Sequence, residues 1–342
     1  TLDNEVHSQY HQYFTYTTAN SSGGLAINYH ESLRYIPRST VQTWKERDYL
    51  IVFGIPSIDI DERRRRRYLQ RTTCWQYPGV ARRANNFTGD MLVLYVLARH
   101  PSQGYNYSES LLKEVAEYHD IITLNINEGV SNFPKMVGGL GYYSLEAQMG
   151  LSQKTYIWFE MAVGLFSKVN YFSKGDDDMF LYVPQFLADL KVLPKRCLYW
   201  GMISGPRSPA HIYFAIGACY TLSRDVAETF LSYEPTRRLL SLPYSHTRQS
   251  EYRSLNVDCE DTMVARALHE VKSQCLVFVN ESFCRFHDLH YNSYKRRASN
   301  SSVLLHHLKE KEYYTLMKMF SSRTAETAKT YKNIDGRIIF DC

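Results

Sequence analysis

The sequence predicts an α/β protein built on a mainly parallel sheet flanked by helices, and three observations predict it. Apolar runs of strand length recur at residues 49–54, 91–97 and 120–125. Stretches of helical spacing separate them, the alternation that produces parallel strands. A further apolar run, Tyr171-Phe-Ser-Lys-Gly175, leads straight into three consecutive carboxylates, Asp176, Asp177 and Asp178.

The chain of 342 residues, 44% hydrophobic, has material for one large core. A polar opening of residues 1–46, broken by Ser21-Ser-Gly-Gly24, reads as a stem or linker that partly packs on a single domain of residues 47–342. The net charge of +5 favours anionic ligands and does not indicate a nucleic-acid partner. The 28 Tyr, 16 Phe and 4 Trp suffice for stacking faces in a cleft, although most belong to the core.

Taken in order, residues 49–54 read as a buried strand closed by Gly54 and Pro56. Next comes a basic helix in residues 61–75, where Arg67 and Arg71 share a face that suits a pyrophosphate or acidic residues, while Arg63 to Arg66 read as solvated. Residues 91–97 are the second strand. Leu111, Leu112, Val115 and Ala116 recur at helical spacing behind a Ser108 cap, and residues 120–125 form the third strand. After Gly138-Gly139-Leu-Gly141, helices are predicted over 142–152 and 154–168, then the acidic strand end. This βαβαβ order is a nucleotide-binding half of an open sheet, with ligands at the strands' carboxyl ends. The first strand is not followed by Gly-x-Gly-x-x-Gly, so a dinucleotide fold is not indicated.

Beyond the acids, residues 183–190 read as a helix, 197–201 as a strand, and 214–225 as a strand or loop entering a helix over 226–232, with Ser223 as its cap. Glu260 and Asp261 open a later helix, where its dipole favours carboxylates.

Three adjacent carboxylates repel one another unless a cation sits on them, and they suit a hard divalent ion that grips phosphate. Asp176 and Asp178, two apart, share one side of an extended backbone and Asp177 takes the other. The same residues also suit a solvated acidic turn or a structural calcium loop. Two acidic sites in different settings suggest that one holds a metal and the other handles a proton.

The seven Cys lack any Cys-x-x-Cys or zinc spacing, and their odd number leaves at least one outside an intrachain pair. Five sequons, at Asn20, Asn86, Asn106, Asn280 and Asn300, are consistent with the secretory pathway, where disulfides persist. Opening at Thr1, with no leader and no long apolar run, the chain reads as a luminal piece of a longer protein.

Five of these features stand in one order: a strand ending near Gly54, Arg67-x-x-x-Arg71 with Thr73 and Trp75, Lys174-Gly-Asp-Asp-Asp178, Gly217-Ala-x-Tyr220-x-Leu-Ser223-Arg-Asp225, and Glu260-Asp261. In this, residues 47–290 resemble the beta-1,3-glycosyltransferase superfamily, and most closely its kinetoplastid branch. Cys74 is an extra residue between Thr73 and Trp75, and Thr262 stands where the family commonly has Val. The resemblance implies a GT-A fold with an acceptor-binding C-terminal half, in a Golgi-resident type II membrane protein whose anchor this sequence lacks.

The same resemblance implies the roles. Asp178 would ligate Mn²⁺ with Asp176 in support, and Asp177 would serve the donor sugar or ribose. Arg67, Arg71 and Lys174 would lie near the nucleotide. A downstream His completes the metal site, and of His287 and His290 the preferred ligand is His287. Asp261 would be the general base, with Trp200, Gly217 and Glu260 binding substrate. The implied reaction moves GlcNAc from UDP-GlcNAc to a glycan acceptor, an N-glycan or a GPI side chain, with inversion to a beta-glycoside. UDP-Gal is the alternative donor. A catalytically inactive glycan-binding or chaperone-like protein is a further alternative, against which the intact acids argue.

Overall fold

The computed structural model describes residues 29–130, 144–207, 212–272, 275–291, 295–323, 327–334, 337–340 and 342. It is a mixed α/β structure. The main sheet contains β1 (Ile51–Ser57), β2 (Val80–Ala81), β3 (Met91–Arg99), β4 (Ile121–Asn127) and β5 (Tyr171–Gly175). Its other half contains β7 (Leu198–Arg207), β8 (Ile212–Ser223), β9 (Val277–Glu281), β12 (Tyr331–Ile334) and β13 (Arg337–Phe340). Across the sheet the order is β12-β13-β9-β7-β8-β5-β1-β3-β2, with β4 also on β3. The half from β4 to β5 is parallel throughout. β8 runs against both of its neighbours. The sheet is therefore mixed, and the parallel half carries the predicted βαβαβ order.

Helices cover this half on both faces, which is why β1 is buried at every position and reads as a continuous apolar run. β1 passes the predicted stop at Gly54 and reaches Ser57. Its register with β5 ends at Gly54, so Pro56, which has no N–H, lies past the last β5 pair and stays paired in register with β3. Gly54 is required for packing: a Cβ there would come within 2.0 Å of the Trp158 indole. Trp158 belongs to one continuous helix, Leu145–Leu165, where two had been expected. No Pro interrupts it, and neither Gly150 nor Gly164 breaks a helix so well packed. The Gly138–Gly141 run lies outside the described residues.

Ser108 caps the helix Glu109–Tyr118 as expected, accepting from Leu111 N at 3.1 Å. Ser223 precedes the helix Arg224–Leu231 without a capping bond. Its hydroxyl instead donates to Asp225 Oδ1 at 2.6 Å and accepts from Leu198 N at 2.9 Å. Within the expected stem, Leu33, Ile36 and Trp44 join the core, and Trp44 meets Phe87 edge to face.

A second, three-stranded sheet sits beside the acidic turn. β6 (Phe180–Leu181) follows the three carboxylates and pairs antiparallel with β11 (Leu304–His306), which runs parallel to β10 (Phe286–Asp288). The register sets Leu305 opposite Phe180, and Leu308 N donates to Asp178 O at 3.1 Å. β11 therefore delivers its terminal His306 to the acidic turn.

Disulfides Cys197–Cys275 and Cys284–Cys342 tie down the C-terminal third, leaving Cys74, Cys219 and Cys259 as free thiols.

Candidate active site

The acidic turn follows β5, which ends at Gly175, and stands beside the end of β1, with its carboxylates divided between two sides. Asp176 and Asp178 reach one side, where His306 Nε2 lies 3.2 Å from Asp176 Oδ2 and 3.1 Å from Asp178 Oδ1. Asp177 turns the other way, accepting from Ser57 Oγ at 2.7 Å, from Arg63, and from Arg66 Nη1 at 3.2 Å. Arg66 Nη1 also stands 3.2 Å from Asp178 Oδ2.

These charges set one another's protonation. Burial alone would raise the Asp177 pKa, but Arg63 and Arg66 override it and hold the carboxyl below its ordinary value. Asp176 is lowered in the same way, burial being overcome by Lys174 and His306. At His306 burial disfavours the cation, yet Asp178, Asp176 and Asp288 raise the pKa well above the ordinary value. Asp288 Oδ1 completes the network at 2.9 Å from both His306 Nδ1 and His307 Nδ1.

The donors fit a divalent metal. Asp178, His306 and His307 each offer a ligand atom within 4.8 Å of the others. Carboxylate oxygens with one or two imidazoles suit first-row ions such as Mn²⁺. His306 Nε2 is buried against both carboxylates, at 3.2 Å from Asp176 and 3.1 Å from Asp178, so the donor atoms already stand together. Asp288 on the opposite ring nitrogen would orient the imidazole, as partners of metal-bound His do.

His287, the ligand expected from sequence, is not brought to this turn. It precedes Asp288 on β10, and alternation along the strand sends it to the other side, where Nε2 meets Ser302 Oγ at 2.8 Å. His290 instead meets Glu312 Oε1 at 2.7 Å.

Asp261 stands beyond Lys174. Lys174 Nζ bridges Asp176 Oδ1 at 2.8 Å and Glu260 Oε2 at 2.9 Å, and donates to Gly217 O at 2.7 Å. Burial would lower its pKa, but the two carboxylates raise it, so it is a fixed cation. Gly217 N in turn donates to Asp261 Oδ2 at 3.2 Å, and Thr262 N and Cys259 Sγ donate to Asp261 Oδ1 at 2.8 and 2.9 Å. Asp261 is half-buried in the first turn of the helix Glu260–Glu270, with both oxygens oriented. Gly217 enters this chain through its backbone. Glu260 is buried, accepting from Tyr220 OH.

Three expected binding residues have structural partners instead. Arg67 grips Glu114 through Nε and Nη2 at 2.8 and 2.7 Å. Arg71 holds Asp120 in the same two-pronged manner at 2.8 and 2.7 Å, and its guanidinium lies over the Tyr95 and Tyr118 rings. Trp200 is a core residue, stacked on Phe186 and donating to Glu281 Oε1 at 2.8 Å.

Conversely, Arg63 and Arg66, expected in solvent, are buried on the acids. Of the buried positions of this helix, 63, 66, 67, 69, 70 and 71, only Leu69 is apolar and Arg and Gln occupy the rest, so a hydrophobic pattern cannot reveal that face. For His306 a signal existed: His306-His307 ends the apolar run Val303-Leu-Leu.

A small cleft of about 110 Å³ opens over the turn, and Ser57, Arg63, His100, Lys154 and Glu128 line it with the three acids. Lys154 Nζ is fixed at its wall by Glu128 Oε1 at 2.7 Å and Ser57 O at 3.0 Å. Compared with protein-family models and with curated proteins, the chain matches none.

Proposed function

We propose that this protein is an inverting glycosyltransferase of GT-A type, moving GlcNAc from UDP-GlcNAc to the hydroxyl of a glycan acceptor such as an N-glycan or GPI side chain. One observation carries the reading: Asp176, Asp178 and His306 converge at the carboxyl ends of a parallel half-sheet while Asp261 is held apart from them across Lys174. That is the layout expected when one acidic site serves a diphosphate and the other a proton.

Asp178, His306 and His307, with Asp176 in support, would hold Mn²⁺, which when bound supplies positive charge to neutralise a departing diphosphate. Asp261 accepts the acceptor hydroxyl's proton on an oriented carboxylate oxygen. The freed oxygen attacks the anomeric carbon as the bond to UDP breaks, and a single displacement converts an alpha-linked donor into a beta-glycoside. Lys174 holds Asp176 and Gly217 in place rather than meeting the nucleotide. Arg63 and Lys154 are the cations that line the cleft.

Two disulfides suit an oxidising compartment, and the reading places the chain in the Golgi lumen as part of a type II membrane protein. No helix among the described residues is long and apolar enough to cross a membrane. The test is UDP release from a panel of nucleotide sugars with glycan acceptors, in Mn²⁺ and in EDTA. Release from UDP-GlcNAc, abolished by EDTA, is expected. Release from UDP-Gal alone selects the alternative donor, and no release from any UDP-sugar refutes the reading.

A further inference from the structure

The fold separates the chain's sequons into two kinds. Asn86 is exposed at the end of a short turn, in the left-handed region with φ of 51°. Asn106 is exposed between β3 and the helix Glu109–Tyr118, and its Nδ2 holds only the nearby Gly104 O at 3.2 Å. Asn300 is exposed in the loop before β11. All three stand outside strands and helices, on chain that reaches solvent without displacing a sheet neighbour.

Asn280 is the opposite case. It lies within β9 between two parallel neighbours, in register with Gly201 of β7 and Ile339 of β13. Its half-buried side chain accepts from Ile203 N at 2.8 Å through Oδ1. The next residue of the strand is buried, Glu281 binding Trp200 and Arg285, so the chain on either side of the amide is fixed in the sheet. The Asn280 side chain leaves the sheet on one face, where a saccharide on this half-buried amide would have to displace the contact with Ile203 of β7. Glycan transfer acts on a chain not yet folded, so the fold decides which glycosylated chains complete the sheet.

We infer that the protein carries N-linked glycans at Asn86, Asn106 and Asn300 and a bare amide at Asn280. Asn20 lies outside the described residues. The two disulfides independently match the compartment in which such glycans are added. None of the three positions lines the cleft over the acidic turn. The inference does not depend on sugar transfer by this chain.

The experiment expresses the chain behind a secretion leader in a eukaryotic host. The secreted protein is treated with peptide N-glycosidase in heavy-oxygen water, which converts each glycosylated Asn to a labelled Asp, and its peptides are read by mass spectrometry. Label at Asn86, Asn106 and Asn300 and none at Asn280 is expected. Asn86→Gln, Asn106→Gln and Asn300→Gln, made singly, should each remove one mobility step, and Asn280→Gln should remove none. Label at Asn280 in secreted protein, or an unlabelled Asn86, Asn106 or Asn300, overturns the inference. Chains retained in the cell provide a second reading, since any label at Asn280 should be confined to them.

Discussion

His306 Nε2 stands 3.1 Å from Asp178 Oδ1, joining the end of β11 to the turn after β5. The junction is built by backbone pairing, because β6 leaves the acidic turn and immediately zips against β11. Any change that slips this register by one residue would send His306 to the opposite side and its neighbour inward.

Arg66 should be a stability residue. It touches both Asp177 and Asp178 from a fully buried position, so Arg66→Ala leaves buried carboxylates short of a partner. Breaking such a pair costs about 3–5 kcal/mol. Urea denaturation should show that loss, with part of it recovered in Arg66→Ala/Asp177→Asn. An unchanged midpoint would contradict the arrangement.

Trp200→Ala should lower stability by about 3–5 kcal/mol, the usual cost of emptying a large aromatic site. Because the ring is buried against Phe186, UDP affinity of the folded variant should stay within a few-fold of wild type. A selective loss of UDP or acceptor binding at full stability would restore Trp200 as a substrate residue.

Asp261→Asn keeps size and hydrogen-bonding capacity but cannot take a proton. Transfer should fall by on the order of a hundredfold to ten-thousandfold with UDP binding preserved within a few-fold. Glu260→Gln should behave differently, weakening the Lys174 contact and lowering stability as well as turnover. Near wild-type transfer by Asp261→Asn would remove it as the base.

Glu114 sets an acid limit on stability. Burial raises its pKa, but Arg67 and Arg71 outweigh this and leave it below the ordinary value. A depressed folded pKa stabilises above the unfolded value of about 4.3, and the contribution disappears as pH falls through the folded pKa. Glu114→Gln should therefore be destabilised at pH 7 and show a shallower decline below about pH 4. Parallel stability curves for the two proteins across that window would contradict this.

The parallel half of the fold was legible because buried strands write themselves as apolar runs, as in β1 and β3. The acidic turn was legible as three consecutive carboxylates at the end of a predicted strand, and the opposed direction of Asp177 agrees with the expectation although the strand stops at Gly175 and the acids lie in the turn after it. The arginine helix was not legible in detail. Which of its five successive Arg are buried depends on Asp177, Asp178 and Glu114, brought from distant parts of the sequence. His306 was missed because its place depends on a short pairing with β6, while His287, in a similar apolar setting, has the wrong strand parity.

The central claim is that the acidic turn and His306 form a divalent-metal site that receives a nucleotide diphosphate. Electron paramagnetic resonance of Mn²⁺ titrated into wild type, His306→Ala and His287→Ala, with and without UDP, measures this without requiring the acceptor. Wild type and His287→Ala should bind Mn²⁺ with an affinity that UDP increases, and His306→Ala should lose at least tenfold. Equal binding by wild type and His306→Ala, or a loss confined to His287→Ala, would contradict the account.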